Sequence, residues 1–298
     1  MHMALARIRI FAEMIKFEHT VFALPFAYLG AFLAKHGVPS GRQILWITLA
    51  MVGARTAAMA LNRLIDRHID ARNPRTAARA IPKGLLSEAE VLFYIAASWA
   101  LLLVAAWQLN PLNLAIPLTV KLMPIAVIVL TVYSYTKRFT WMCHFVLGLS
   151  LGLAPVGSWV GITGKLEFPS ILIGLTVLTW VAGFDVIYAC QDYDFDRREG
   201  IYSIPAVFGI KTALVSSALL HVITFIFLVW IGIITGLGYF YWLGVIAAAG
   251  ILIYEHSLVT PTDLSRLDAA FFSMNGILSV MLFIFTFADI LFGRGISL

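Results

Sequence analysis

The sequence predicts an all-α, polytopic membrane protein with nine transmembrane helices, and three observations carry that prediction. Only 12% of the 298 residues are charged while 61% are hydrophobic, and the charged share is about half of the roughly 25% found in soluble globular chains. The apolar residues come in runs near the roughly 20 residues a helix needs to cross a bilayer. Lys and Arg collect in alternate gaps between those runs. Nine spans with short connections consume nearly everything, so residues 1–298 read as one integral-membrane domain with no soluble domain beside it.

The chain opens on Met1-His2-Met3, and Glu13, Lys16 and Glu18 interrupt the apolar start before any small-residue cleavage site, which is not the pattern of a signal peptide. Ile8, Phe11 and Ile15 share one helical face opposite Arg7 and Arg9. That face suits a short helix lying on the membrane surface or the start of the first span. The spans then fall at 19–36, 43–68, 88–109, 112–135, 139–162, 169–192, 210–235, 239–260 and 268–292. Lys35 and Arg42 bracket the first gap, and a long basic stretch from Arg63 to Lys83 separates the second span from the third. A short turn precedes the fourth span, which ends at Lys137-Arg138, while Lys165 follows the fifth. Arg197, Arg198 and Lys211 follow the sixth, a short turn parts the seventh from the eighth, and Arg266 precedes the ninth.

With the N-terminus in the cytoplasm, fifteen Lys and Arg fall on the cytoplasmic side, against Lys35, Arg42, Lys165 and Arg294 outside. The excess of Lys and Arg in cytoplasmic loops therefore predicts a cytoplasmic N-terminus and an external C-terminus in the cell (inner) membrane. The formal charge of +5 consequently reads as a topology signal and a supply of anion ligands, not as a nucleic-acid surface. Cys143 and Cys190 sit in apolar stretches without CxxC spacing and indicate neither a disulfide framework nor a zinc site.

The acids are concentrated at the same side. Asn62, Asp66 and Asp70 are spaced i, i+4, i+8 at the end of the second span, which makes one polar stripe on a helix. Asp192 and Asp196 pair at i, i+4 at the end of the sixth, and Asp185 lies seven residues earlier on nearly the same face. Each cluster is trailed by a basic stretch and then by Ile-Pro, at Ile81-Pro82 and Ile204-Pro205, a faint internal repetition. A single charge at a span end is ordinarily just solvated, but paired carboxylates repel unless a cation neutralises them. Hard oxygen ligands suit Mg²⁺, which takes one or two protein carboxylates together with substrate phosphates. Two facing pairs therefore predict a diphosphate clamped through Mg²⁺, with Arg67, Arg72, Arg75, Arg79, Lys83, Lys137, Arg138, Arg197 and Arg198 available for the remaining negative charge. Asp194 and His68 fall off these faces and are expected to be solvated.

Arg55, about two turns inside a span, is costly there and so reads as functional. It stands seven residues before Asn62 on the same face, where it either grips an acceptor carboxylate or pairs with a buried acid such as Asp185; acceptor binding is the favoured reading. Lys121 is expected to be structural, its stem snorkelling to the outer surface. An ion-coupled transporter using Arg55, Lys121 and Asp185 is the alternative from another class, but it predicts charges at the membrane centre, whereas the paired acids sit at span ends.

These features resemble the UbiA family of intramembrane prenyltransferases, which alkylate aromatic acceptors with polyprenyl diphosphates. The resemblance is carried by Asn62-Arg63-x-x-Asp66-x-x-x-Asp70, by Arg75-Thr76-Ala77-x-Arg79-x-x-Pro82-x-Gly84, by Tyr133-x-x-x-Lys137-Arg138, and by Asp185 followed by Asp192-x-x-x-Asp196, in order along nearly the whole chain. It implies nine helices surrounding a central cavity open to the cytoplasmic side, and partners that are a polyprenyl diphosphate, an aromatic acid and membrane lipid. It further implies Asn62, Asp66, Asp70, Asp192 and Asp196 as ligands of Mg²⁺ and the diphosphate, with Asp66, Asp70, Asp185, Asp192 and Asp196 forming the catalytic set. Arg67, Arg79, Lys137 and Arg138 become diphosphate contacts, and Arg55, Asp185 and Tyr133 acceptor contacts. Tyr202 departs from the family, whose members often carry a lysine there. The stretches Lys16–Pro25 and Arg55–Ala60 are similar to a 4-hydroxybenzoate polyprenyltransferase-like branch. The expected acceptor is thus 4-hydroxybenzoate in ubiquinone-type quinone biosynthesis, with a dihydroxynaphthoate of menaquinone biosynthesis as the alternative. Haem farnesylation, chlorophyll-type esterification and lipid-ether synthesis are related chemistries that Arg55, as a carboxylate grip, disfavours.

Overall fold

Side-chain caps and glycines set where the apolar runs begin and end as helices. Ser40 and Ser87 each accept a hydrogen bond from the third helical N–H while Gln43 and Glu90 reach back, so capping boxes start α3 (Gly41–Ile65) and α5 (Glu88–Gln108). Gly164 and Gly236 adopt positive φ just past α7 (Cys143–Thr163) and α11 (Ile210–Thr235), which stops both. Helix α6 (Leu118–Thr136) precedes α7 and α8 (Phe168–Ala189) follows it, the latter with a proline in its first turn. The fold is completed by α12 (Tyr239–Ser257) and α13 (Asn275–Phe292), a π-helical turn (Ala269–Met274) leading into the last.

The computed structural model describes residues 2–16 and 20–293. Phe17, Glu18 and His19, within the family-like stretch at 16–25, and Arg294 beyond the last span lie outside the described residues. Among those described, eight helices are long and apolar enough to cross a membrane: α3, α5, α6, α7, α8, α11, α12 and α13. The first predicted span is α2 (Thr20–Lys35), 16 residues long, apolar and packed between α7 and α13.

The N-terminal helix α1 (His2–Met14) corrects one expectation. Phe11, Met14 and Ile15 are buried against Ala60, Leu64, Leu86 and Val91, and the Phe11 ring stacks on Tyr94 at 4.1 Å. Its apolar face therefore covers α3 and α5 instead of resting on lipid; the Ile8 side chain is outside the described set.

Helix α8 forms the axis, held between α7 and α11, with 78% of its membrane window buried against 50% or less in the other spans. That enclosure depends on small residues. A Cβ at Gly148 would meet the Leu178 carbonyl oxygen at 2.3 Å, and one at Gly152 the Gly174 oxygen at 2.5 Å, the antiparallel spacing of four matching on both helices. Gly148→Ala is expected to destabilise the protein by about 1–3 kcal/mol, because neither backbone can withdraw. Gly157→Ala on the same helix, with nothing within 4 Å of the new Cβ, should leave thermal unfolding in detergent unchanged or raised.

Candidate active site

Both acidic span ends are built alike: the long helix breaks at its first acid and resumes as a short helix. At the end of α3, Asp66 has φ −88° and ψ 0°, after which α4 (Arg67–Arg72) begins. The Asp66 N–H still bonds Asn62 O at 2.9 Å and the Asp70 N–H bonds Asp66 O at 2.8 Å, so the register of the stripe survives the break. At the end of α8, a 3₁₀ turn (Cys190–Asp192) precedes α9 (Tyr193–Glu199), and α10 (Ile204–Phe208) follows.

Each carboxylate meets a cation or hydroxyl supplied from another segment. Asp66, 1% exposed, takes Lys137 Nζ at 2.6 Å and Arg138 at 3.4 Å, and Arg138 also donates to Ile65 O at 2.6 Å. Asp70 receives Arg79 Nη1 on both oxygens at 2.6 and 2.7 Å. Asp192 holds Arg75 in a two-pronged pair, Nη2 at 2.6 Å and Nε at 3.1 Å, while the Arg75 guanidinium sits 5.7 Å from the Tyr188 ring centre. Asn73 accepts the Arg75 N–H with its side-chain oxygen and donates from Nδ2 to Asp192 at 3.3 Å. Asp196, buried, accepts from Ser203 Oγ at 3.0 Å. The two clusters are therefore joined: the loop after α4 grips Asp70 through Arg79 and Asp192 through Arg75.

A third segment links the second cluster to the loop after α6. The Tyr202 N–H bonds Lys137 O at 2.7 Å, and the neighbouring Ser203 and Ile204 bond Asp196 and His144. Tyr202 thus contributes its backbone here and leaves its side chain exposed. Arg72 pairs with Glu199 at 3.0 Å, tying α4 to α9.

Two expected site residues are placed differently. Arg67 bonds Glu88 at 2.6 Å and Leu64 O at 2.9 Å. One residue after Asp66 it is turned about 100° round the helix, toward α5 and away from the acids. Asn62, expected as a metal ligand, donates from Nδ2 to Asp66 at 2.8 Å and accepts buried Arg63 on its oxygen at 3.0 Å. Only its oxygen can accept from a guanidinium, so that oxygen faces Arg63 and the NH₂ faces Asp66. Arg63, which also donates to Met14 O, locks this orientation; its burial was not legible from spacing, since it sits beside the stripe.

Arg55 is half-buried in α3, and Tyr133 of α6 lies within electrostatic reach of Arg55, Arg63 and Asp66. Asp185 pairs with His144 at 2.7 Å, a partner the sequence did not suggest and not the Arg55 pairing considered above. Asp194 and His68 are exposed as expected, and Lys121 is exposed in the first turn of α6, at the end of that helix remote from Lys137.

Among the described residues no three His, Cys, Asp or Glu side chains converge to hold a metal by themselves. The donor set still suits Mg²⁺: all-oxygen, two acids per helix end, with room in its coordination for phosphate oxygens.

Residues 23–277 match the UbiA prenyltransferase family. The chain belongs to that family. It is 32% identical to the 4-hydroxybenzoate octaprenyltransferase of Nitrosospira multiformis over 83% of this chain and 82% of that one. It is 31% identical to the enzyme of the same name from Edwardsiella ictaluri, over 83% and 84%. Among solved structures, a UbiA homolog from Aeropyrum pernix K1 superposes with a TM-score of 0.82 at 31% identity, covering 91% of this chain and 98% of that one. A UbiA homolog from Archaeoglobus fulgidus bound to DMAPP and Mg²⁺ shares the fold, with a TM-score of 0.70 at 23% identity over 95% and 99%. The UbiA chain described here is thus a membrane-embedded prenyltransferase, which decides against the transporter.

Proposed function

We propose that this UbiA protein transfers a polyprenyl group from its diphosphate to the ring of an aromatic acid, foremost 4-hydroxybenzoate, in ubiquinone-type biosynthesis. The observation that carries the reading is that Lys137, Arg138, Arg79 and Arg75 each reach a carboxylate of the two clusters from loops between the spans. Their cationic heads are gathered where a diphosphate bridging the clusters would bind. Relatives named 4-hydroxybenzoate octaprenyltransferase and a fold neighbour bound to DMAPP and Mg²⁺ support the same chemistry.

Asp66, Asp70, Asp192 and Asp196 would hold Mg²⁺, which neutralises charge developing on the departing diphosphate. Lys137, Arg138 and Arg79 donate to the diphosphate oxygens as the allylic C–O bond breaks, so that donors already in place meet the charge that develops there. Asn62 and Arg63 hold Asp66 in place. Arg55 binds the acceptor carboxylate through two parallel hydrogen bonds, and Tyr133, within electrostatic reach of Arg55 and Asp66, contacts the acceptor beside it. Asp185 receives the ring proton. The excess of Lys and Arg supports a cytoplasmic site and N-terminus, in the inner membrane.

The test is transfer by purified protein in detergent from geranyl diphosphate, with 4-hydroxybenzoate against 1,4-dihydroxy-6-naphthoate and Mg²⁺ against EDTA. Magnesium-dependent product with 4-hydroxybenzoate is expected; product only with the naphthoate would move the acceptor, and none with either would overturn the reading. In the same assay Arg55→Ala should raise the acceptor KM by roughly 10- to 100-fold and leave the donor KM unchanged.

A further inference from the structure

His144 is the single basic side chain of α7 and is buried, with 2% of its side chain exposed. Both ring nitrogens are engaged: Nδ1 lies 2.7 Å from Asp185 Oδ2, and Nε2 lies 3.2 Å from the backbone nitrogen of Ile204. A backbone N–H can only donate, so Nε2 must present its lone pair and the ring hydrogen must sit on Nδ1, pointing at Asp185. Ile204 is the first residue of α10, where helix N–H groups have no partner within the helix. Ser203 just before it is fixed by two contacts, accepting from Ala206 N and donating to Asp196. The imidazole is therefore clamped by the segment that also binds the second acidic cluster. Asp185 differs from its partner in keeping 23% of its side chain accessible.

We propose that His144 is a positioning residue for the ring-deprotonation step. It cannot touch a substrate, but it holds one carboxylate oxygen of Asp185 and keeps that group aimed while the rest of the carboxylate faces the acceptor. The inference rests on the transferase reading. In that reaction the diphosphate leaves with the C–O bonding pair, and an acceptor ring carbon bonds to the allylic carbon. The C–H bond at that carbon then breaks, its electron pair returns to the ring, and the proton passes to Asp185. The bond from Nδ1–H to Asp185 makes that carboxylate a fixed base.

The test uses full-length protein carrying His144→Ala, His144→Asn or His144→Gln, with acceptor of ordinary hydrogen content and acceptor deuterated at the carbons that can be prenylated. An asparagine amide nitrogen occupies the place of Nδ1 and a glutamine amide that of Nε2, so the two variants separate hydrogen bonding to Asp185 from filling of space. His144→Ala should lower kcat by roughly 10- to 100-fold with little change in either KM. It should also expose a primary deuterium isotope effect that wild type lacks, because proton removal becomes slow. His144→Asn should recover most of kcat and suppress the isotope effect, and His144→Gln should not. Equal behaviour of the Asn and Gln variants, or an isotope effect unchanged from wild type throughout, would overturn the proposal while leaving the transferase reading intact. Absence of product from wild type would overturn both. Should the alanine variant fail to fold, the Asn–Gln pair still decides.

Discussion

Asp66→Asn is expected to lower prenyl transfer by roughly 10³-fold or more while leaving a folded, membrane-inserted protein. Asp66 is the most enclosed acid of the site, 1% exposed, and the group on which Asn62, Lys137 and Arg138 converge. Replacing one oxygen by NH₂ keeps the shape and still offers an oxygen to Asn62, so packing is preserved. The charge is what is lost. Breaking a buried pair is usually damaging because an uncompensated charge remains, but Lys137 and Arg138 retain 30% and 39% of their side-chain exposure and can turn to water. Stability should therefore drop far less than activity. Steady-state turnover with geranyl diphosphate, paired with a thermal melt in detergent, separates the two, and Asp194→Asn at an exposed position serves as the control. Turnover within about tenfold of wild type would remove Asp66 from the diphosphate machinery.

The spans were legible because burial in a bilayer demands long uninterrupted apolar helices, and sequence records that directly. Their ends were less so. The second span was read through residue 68, yet α3 stops at Ile65, since helical spacing persists in the hydrogen bonds while the backbone turns at Asp66. The acidic pairs were legible because they repeat at i, i+4 on two helices; which of the neighbouring bases meets which acid was not, because those bases come from loops whose course no periodicity encodes. Arg75 and Arg79 differ by four residues and reach different clusters, Asp192 and Asp70. Arg67 was misplaced for the converse reason: closeness in sequence to Asp66 put it on another face, against Glu88. The spacing places Asn62 beside Asp66, but which of its amide atoms faces Asp66 depends on Arg63, and only three-dimensional contacts reveal that. His144, 41 residues from Asp185, belonged to no motif at all.

The pairing of Asp66 with a lysine makes a second large effect predictable in two opposite directions. Lys137 Nζ lies 2.6 Å from Asp66 Oδ2, so an arriving divalent cation and this ammonium compete for the same oxygen. On the reading proposed above, a diphosphate binding with its metal would free the ammonium to move to the phosphate oxygens, and the ion pair between Lys137 and Asp66 would be the resting form of an anion contact. Lys137→Met keeps the stem and removes the charge. Transfer should fall by roughly 10²-fold and the donor KM should rise, since a charge-assisted contact to the leaving group is gone. Metal affinity without diphosphate should instead increase, by about 3- to 10-fold, because Asp66 loses its competitor at a partly screened site. Mn²⁺ binding followed by electron paramagnetic resonance, beside steady-state kinetics, reads both numbers. A purely structural lysine would lower the two together. Opposite signs are what a cation shared between carboxylate and diphosphate requires, and metal affinity falling along with turnover would exclude that exchange.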